Sequence, residues 1–175
     1  MVEGFPLPAA DYGHETLDFY NCIKIENDCI KIENDMFEIL DKYCHTGHFE
    51  FHADENLKNI CNAPTDKSGV YIVWTIIDGN KQLLYIGRSG KKENGVIVHR
   101  KCGLGGIKDR LVNGHQFGKL PRRRSWPIKM REMGLSVLSV FWFDTENDDP
   151  KKVEELLLAE ATYKNGVLPP WNKQL

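Results

Sequence analysis

The sequence predicts an α/β domain of the α+β type, built on a small, mainly antiparallel three-stranded sheet flanked by helices. Two segments rich in β-branched and aromatic residues, 69–74 and 83–89, lie on either side of Asp78-Gly79. Asp-Gly between two such runs is a strong hairpin signal. A third apolar run, residues 135–144, predicts the third strand.

Alternation along a strand divides the first of these segments into two faces. One face carries Tyr71, Val73 and Thr75. The other face carries Val70, Ile72, Trp74 and Ile76. A face that pairs a tyrosine with few bulky apolar neighbours is a candidate site.

Helical signals follow the second and third strands. Residues 90–106 form a basic, glycine-containing loop of a length typical of functional loops, and residues 107–113 predict a short helix. Asp148-Asp149-Pro150 predicts the start of a later helix, with aspartate as N-cap and proline in the first turn. The expected apolar stripe of that helix is Val153, Leu156, Leu157 and Tyr163.

The first third of the chain repeats Cys-Ile-Lys-Ile-Glu-Asn-Asp at residues 22–28 and 29–35. Local alternation is consistent with a hairpin turning at Asn27-Asp28. A helix from about 17 to 44 accounts for more residues and is favoured, because apolar residues recur at helical spacing. Those residues are Cys22, Ile25, Cys29, Ile32, Met36, Ile39 and Tyr43.

The apolar stripe of this helix is expected to pack within the chain, and the alternative is a coiled-coil homodimer. We expect Gly47 to break the helix and residues 62–68 to act as a linker. The predicted organisation is an acidic, mainly helical region, residues 1–66, followed by a second domain, residues 67–175.

Charge is distributed unevenly along the chain. Residues 1–66 carry 4 Lys+Arg against 14 Asp+Glu, a net of -10, and residues 85–133 carry 13 against 3, a net of +10. The basic segment favours binding to the phosphate backbone of DNA, with contacts expected from residues 88–131. Its densest part is Lys119, Arg122, Arg123, Arg124, Lys129 and Arg131. The acidic region could act as an inhibitory element that covers this surface.

Cysteine usage and hydropathy predict a cytoplasmic protein without a membrane partner. The five cysteines are odd in number and include no Cys-x-x-Cys pair, so we expect reduced thiols and no zinc site. No apolar run approaches the length of a membrane span, and the N-terminus lacks a basic segment followed by an apolar one.

Five features occur in a particular order: Gly69-Val70-Tyr71, Tyr85-Ile86-Gly87, Arg110, an acidic helix and Pro169-Pro170-Trp171-Asn172. In this order the chain resembles the GIY-YIG nuclease family over about residues 68–175. The resemblance implies a DNA endonuclease dependent on Mg²⁺ or Mn²⁺, of a restriction-like, mobile-element or repair type. The alternative is a catalytically inactive nucleic-acid-binding module on the same fold.

The resemblance also implies roles for individual residues. Tyr71 or Tyr85 would orient or deprotonate the attacking water. Arg110, together with Arg88, would neutralise charge that develops on the phosphoryl oxygens. A hard cation held by one carboxylate, waters and phosphate oxygens is consistent with this chemistry.

The metal ligand is Glu154 or Glu160. Two leucines follow Glu154 at the family's spacing, whereas Glu160 lies twelve residues before Asn172, as in the nucleotide-excision-repair member; we favour Glu154. Gly114 stands where the family has tyrosine or histidine, which makes the adjacent His115 a candidate substitute. Asn172 either supports the site by hydrogen bonding or caps the proline turn.

Overall fold

The structure, a computed structural model, describes residues 23–26, 29–32 and 37–172. Its strands, numbered along the chain, are β1 (Ile23–Glu26), β2 (Cys29–Ile32), β3 (Thr46–Phe51), β4 (Gly69–Ile77), β5 (Asn80–Ser89), β6 (Lys91–Glu93), β7 (Val96–Val98) and β8 (Leu138–Asp144). Its helices are α1 (Leu57–Ile60), α2 (Gly106–Asn113), α3 (Arg122–Met133) and α4 (Pro150–Asn165), with a 3-10 turn at Glu38–Leu40.

The central sheet has four strands in the order β3-β8-β4-β5, and all its pairings are antiparallel. The α+β class and the mainly antiparallel sheet are therefore confirmed, with one strand more than predicted. The β4–β5 hairpin turns at Asp78 and Gly79, whose φ angles of 51° and 75° are both positive. Such a two-residue turn matches the right-handed twist of the strands that it joins.

Both faces of the sheet are buried, and the two faces predicted for β4 are confirmed. On one face, Tyr71 and Val73 belong to a cluster with Ile107 and Leu111 of α2 and Trp126 of α3. The domain therefore has helices α2 and α3 on this side of the sheet.

The opposite face packs against α4 and the segment that precedes β3. Ile72 of β4 and Phe37 belong to a second cluster that includes Val153 and Leu157 of α4. The predicted stripe of α4 is wrong in two positions, since its Leu156 and Tyr163 are exposed. The buried stripe continues instead to Ala161.

The helix predicted over residues 17–44 is wrong where the structure describes these residues. β1 and β2 pair antiparallel, with Glu26 opposite Cys29. Isoleucines that alternate with charged residues favour this pairing over a helix. The turn at Asn27-Asp28 and residues 17–22 and 33–36 lie outside the described residues. Residues 37–44 contain a 3-10 turn, Glu38–Leu40, and no α-helix. The coiled-coil homodimer, which needs the helix, stays a prediction.

Gly47 lies within β3 and does not end a helix. A Cβ atom there would lie 2.6 Å from the Trp142 ring, so the missing side chain leaves room for the indole. Phe49 and Phe51 of β3 are buried in the first cluster. The sheet and its core thus contain residues on both sides of the predicted boundary after residue 66.

Two further expectations are corrected. Cys44 is disulfide-bonded, whereas Cys61 and Cys102 are free thiols. The prediction that all five cysteines are reduced is therefore wrong. A disulfide requires proximity in space, which sequence spacing does not report.

The basic loop, residues 90–106, contains the β6–β7 hairpin, whose turn at Asn94-Gly95 has positive φ angles at both residues. Among the described residues, no helix is both long and apolar enough to cross a membrane.

Candidate active site

A β-bulge in β5 determines the position of the second tyrosine. Tyr85 pairs with Val73, and Leu83 pairs with Trp74, so Leu84 is an extra residue on β5. Leu84 and Tyr85 both pack toward the cluster that contains Tyr71, although consecutive strand residues normally face opposite sides. The bulge therefore brings Tyr85 to the face that carries Tyr71.

The two tyrosine rings lie side by side, with their centroids 6.0 Å apart. Gly87 of β5 stands opposite Tyr71 in the pairing with β4. A Cβ atom at Gly87 would lie 2.6 Å from the Tyr71 hydroxyl oxygen and 2.6 Å from Cε1 of Tyr85. The glycine of the Tyr-Ile-Gly motif is thus needed for the two rings to approach each other.

Arg122, the first residue of α3, joins the two tyrosine hydroxyl groups. Its Nη1 donates to Tyr71 Oη at 2.7 Å, and its Nη2 donates to Tyr85 Oη at 3.0 Å. The Nη1 group also donates to the main-chain carbonyl of Arg110. Arg122 is 0% exposed, so its predicted contact with the DNA backbone is wrong: the side chain lies inside the protein.

A buried glutamine connects this arginine to the C-terminal segment. Gln116 Oε1 accepts from Arg122 Nε at 3.1 Å and from Trp126 Nε1 at 2.8 Å. Its Nε2 donates to the Trp171 carbonyl at 3.1 Å. The network therefore extends from the tyrosine pair through α3 to the end of the described chain.

Gly114 has a structural explanation here. A Cβ atom on Gly114 would lie 2.8 Å from Arg122 Nη1 and would also meet the Arg110 carbonyl oxygen. The guanidinium of Arg122 thus occupies space next to the position where the family has a tyrosine or histidine. His115 is exposed, and its main chain forms an isolated bridge with Pro121, so no contact joins it to the tyrosine pair.

The two candidate metal ligands are in different environments. Arg88 Nε donates to Glu154 Oε2 at 2.8 Å, which places Glu154 beside the end of β5. Glu160 forms an ion pair with Lys164 at 2.8 Å, one turn further along α4. Glu154, unlike Glu160 with its partner Lys164, lies near Arg88, Tyr85 and Arg110.

Arg110 lies close enough to Tyr85 and to Glu154 for its charge to act on both. Its charge lowers the pKa of the Tyr85 hydroxyl and of the Glu154 carboxyl, although each is raised on balance by burial. Arg110 also lines a cavity of about 290 Å³ that contains three more cationic side chains. They are Arg88, Lys91 and Arg100. Arg88, Lys91 and Arg100 form ion pairs with Glu154, Glu93 and Asp109, so the cavity would attract an anionic ligand mainly through Arg110.

The balance of effects at Tyr85 bears on its chemistry. Burial is the largest cause that raises the pKa of Tyr85, and Tyr71 and Glu154 add to it, while Arg122 and Arg110 lower the pKa less strongly. Tyr85 therefore stays protonated at neutral pH in the free protein. This favours a hydrogen-bond donor over a general base at this position.

Asn172 forms hydrogen bonds with the backbone of Ile86, the middle residue of the Tyr85-Ile86-Gly87 motif in β5. Its Oδ1 accepts from the Ile86 N–H at 3.0 Å, and its Nδ2 donates to the Ile86 carbonyl at 2.8 Å. The adjacent Trp171 N–H donates to the carbonyl of the bulge residue Leu84 at 2.9 Å. The Asn172 N–H also donates to the Pro169 carbonyl at 2.9 Å, so this residue both holds β5 and closes the proline turn, the two contacts between which the sequence left the choice open.

Arg122 and Gln116 were missed as site residues. The run Arg122-Arg123-Arg124 indicates only positive charge, and a sequence gives no sign that its first member is buried. Gly114 was the one sequence feature that could have indicated a buried side chain here, because a glycine in place of a larger residue leaves space for another side chain.

A magnesium site must be consistent with the carboxylates present. Within the described part of the chain, no group of three or more His, Cys, Asp or Glu side chains could hold a metal ion. Mg²⁺ keeps several waters and is commonly bound through one or two carboxylates and substrate phosphates. Glu154, 21% exposed and beside the basic cavity, fits a site of that kind.

Compared with models of protein families, with curated proteins and with solved structures, the chain matches none. The GIY-YIG resemblance therefore stays a prediction based on the sequence motifs.

Replacing Asn172 by aspartate should destabilise the protein by about 1–3 kcal/mol, because the donor to the Ile86 carbonyl is removed and a carboxylate is placed against that oxygen. Urea unfolding of Asn172→Asp measures this change. Asn165→Asp, at the exposed end of α4, is the matched control and should stay close to the wild type. Equal stability of the two variants would contradict the role of Asn172.

Proposed function

We propose that the protein is a divalent-metal-dependent endonuclease that hydrolyses phosphodiester bonds in DNA. The observation that carries this proposal is the convergence of Tyr85, Arg110, Arg88 and Glu154 at the edge strand of the sheet, beside a cavity lined by cations. These are the residue types that can bind a phosphodiester, orient water and hold a hard cation in one place.

Each residue has a distinct part in the proposed reaction. Arg110, which is partly exposed, binds a phosphoryl oxygen and stabilises the charge that develops on it. Tyr85 donates a hydrogen bond to the attacking water or to a phosphate oxygen, in keeping with its raised pKa. Tyr71, 0% exposed, anchors Arg122 and does not touch the substrate.

Glu154 would hold Mg²⁺ or Mn²⁺, and Arg88 holds the carboxylate of Glu154 in place. When bound, the metal supplies Lewis acidity to the phosphoryl group. Glu160 is left outside this proposal because its partner is Lys164, on the same helix.

The exposed cations of the basic segment are proposed to bind the DNA backbone. Arg123 and Arg124 stand at the solvent-facing start of α3, whereas Arg122 in the same run is buried. The proposed surface therefore consists of the exposed cations within residues 88–131 and excludes Arg122. Whether the role is restriction-like, mobile-element or repair does not follow from these contacts, because a backbone surface carries no sequence preference.

The second candidate is a catalytically inactive nucleic-acid-binding module. Two observations favour it: the family's tyrosine or histidine is absent at Gly114, and Arg88 already neutralises the candidate metal ligand. Both candidates share the DNA-binding surface, and cleavage separates them.

The wild type should nick supercoiled DNA in the presence of Mg²⁺. Arg110→Ala should reduce the rate of nicking by about a hundredfold or more, because a cation that stabilises the transition state is removed. Glu154→Gln should also lose activity, partly restored by excess metal, because glutamine keeps the volume but removes the charge. Glu160→Gln is the matched control and should cut like the wild type.

Loss of cutting in Glu160→Gln but not in Glu154→Gln would assign the metal to the other glutamate. No nicking by the wild type with Mg²⁺ or Mn²⁺, together with retained DNA binding, would replace the enzyme by the binding module.

Metal binding should depend on pH through Glu154, whose pKa is raised by burial and lowered by Arg88. Binding requires the carboxylate, so affinity falls as the pH drops through a value above the ordinary range for glutamate. Arg88→Gln removes a cause that lowers the pKa and should move this fall in affinity to higher pH. Calorimetric titration with Mn²⁺ across pH measures the shift. Lys91→Gln, in the same cavity, is the control and should leave the profile in place.

Affinity for duplex DNA should fall steeply as salt concentration rises. Arg123→Gln combined with Arg124→Gln should reduce the slope of log affinity against log salt by about 0.9 for each phosphate that these arginines neutralise in the wild type. Lys151→Gln combined with Lys152→Gln removes two exposed charges from α4 and should leave the slope unchanged. Affinity that does not respond to salt would contradict the proposed surface.

A further inference from the structure

Arg122 is a buried cation without an acidic partner among the described residues. It is 0% exposed, and none of the ion pairs formed in the described part of the chain includes it. Burial of a charge is costly unless partners compensate for it. The neighbouring arginines 123 and 124 are exposed, so burial is a property of this one position.

Neutral groups surround the guanidinium. It donates four hydrogen bonds, to the side chains of Gln116, Tyr71 and Tyr85 and to the Arg110 carbonyl. Its Cζ atom lies 5.3, 5.1 and 5.6 Å from the ring centroids of Tyr71, Tyr85 and Trp126. Four oxygens and three rings hold the group in place, and none of these neighbours is an acid.

The direction of these hydrogen bonds constrains the tyrosines. A guanidinium can only donate, so both hydroxyl oxygens act as acceptors toward Arg122. The hydroxyl hydrogen of Tyr85 must then point away from Arg122. Tyr85 is partly exposed, so its hydrogen is available to a group outside the protein.

We propose that Arg122 is the positioning residue of the site. It fixes the Tyr85 hydroxyl so that its hydrogen is donated outward, to the attacking water or to a phosphodiester oxygen, and its positive charge favours negative charge arriving there. A cation fixed in advance requires no reorganisation when the substrate binds. This inference rests on the proposed function in those tests that measure DNA cleavage.

The Arg-Arg-Arg run provides matched variants for the test. Arg122→Gln should lower kcat by about a hundredfold, the effect typical of removing one preorganised donor, and leave the Kd for DNA within about twofold. Arg123→Gln and Arg124→Gln, on the proposed DNA-binding surface, should instead weaken DNA binding. Lys151→Gln, which removes an exposed charge of α4 outside that surface, is the control that should leave both kcat and Kd unchanged. Weakened affinity with unchanged kcat in Arg122→Gln would overturn the inference.

Chemical rescue separates positioning from a structural role. Arg122→Ala removes the guanidinium, and added guanidinium ions should restore turnover, whereas the same concentration of ammonium ions should not. Absence of rescue in a variant that circular dichroism shows to be folded would overturn the inference. If Arg122→Ala does not fold, Tyr71→Phe removes one acceptor and keeps the ring; an unchanged kcat in Tyr71→Phe would likewise overturn it.

A readout without DNA keeps the two proposals distinguishable. In ¹⁵N NMR spectra of the wild type, the Nη1 and Nη2 groups of Arg122 should give separate signals that exchange slowly with solvent. Arg122→Lys assigns them, and Tyr85→Phe should shift or merge them. If the Nη1 and Nη2 signals of Arg122 are unchanged in Tyr85→Phe, the positioning role is overturned even if the protein cuts DNA. Signals that respond in a protein that cuts no DNA would overturn the proposed function and support the contact between Arg122 and Tyr85.

Discussion

The register of β5 against β4 is the constraint on which the rest of the site depends. If the same sequence paired without the bulge, Leu84 would stand opposite Val73 and Tyr85 opposite Ile72, on the α4 side of the sheet and away from Tyr71. Arg122 could then reach only one hydroxyl group. The bulge therefore decides whether the two tyrosines form a pair.

A bulge on an edge strand leaves backbone groups that need partners, and the end of the described chain supplies them. The Trp171 N–H binds the carbonyl of the bulge residue, and Asn172 binds both backbone groups of Ile86. These contacts cover an edge that would otherwise be free to pair with another strand. Since Gln116 also binds the Trp171 carbonyl, the same segment stabilises the strand and the arginine network.

The sequence predicted the features that depend on local chemistry. The Asp78-Gly79 hairpin, the short helix of Arg110 and the Asp149 N-cap were predicted from neighbouring residues and are present. The bulge and the burial of Arg122 depend on contacts between distant segments, for which no local signal exists. β3 was missed because helical spacing through residue 43 was given more weight than the alternation of Thr46–Phe51.

Burial also explains why a count of charges describes this site poorly. The net charge of +10 over residues 85–133 treats all cations alike. The structure separates them, because Arg88 is paired with Glu154, Arg110 is partly exposed beside the cavity, and Arg122 is buried and donates to neutral groups of the described chain. A paired cation orients a carboxylate, an exposed one can meet a phosphate, and an enclosed one polarises its neighbours. The chemistry available at the edge of β5 therefore depends on the surroundings of each guanidinium more than on their number.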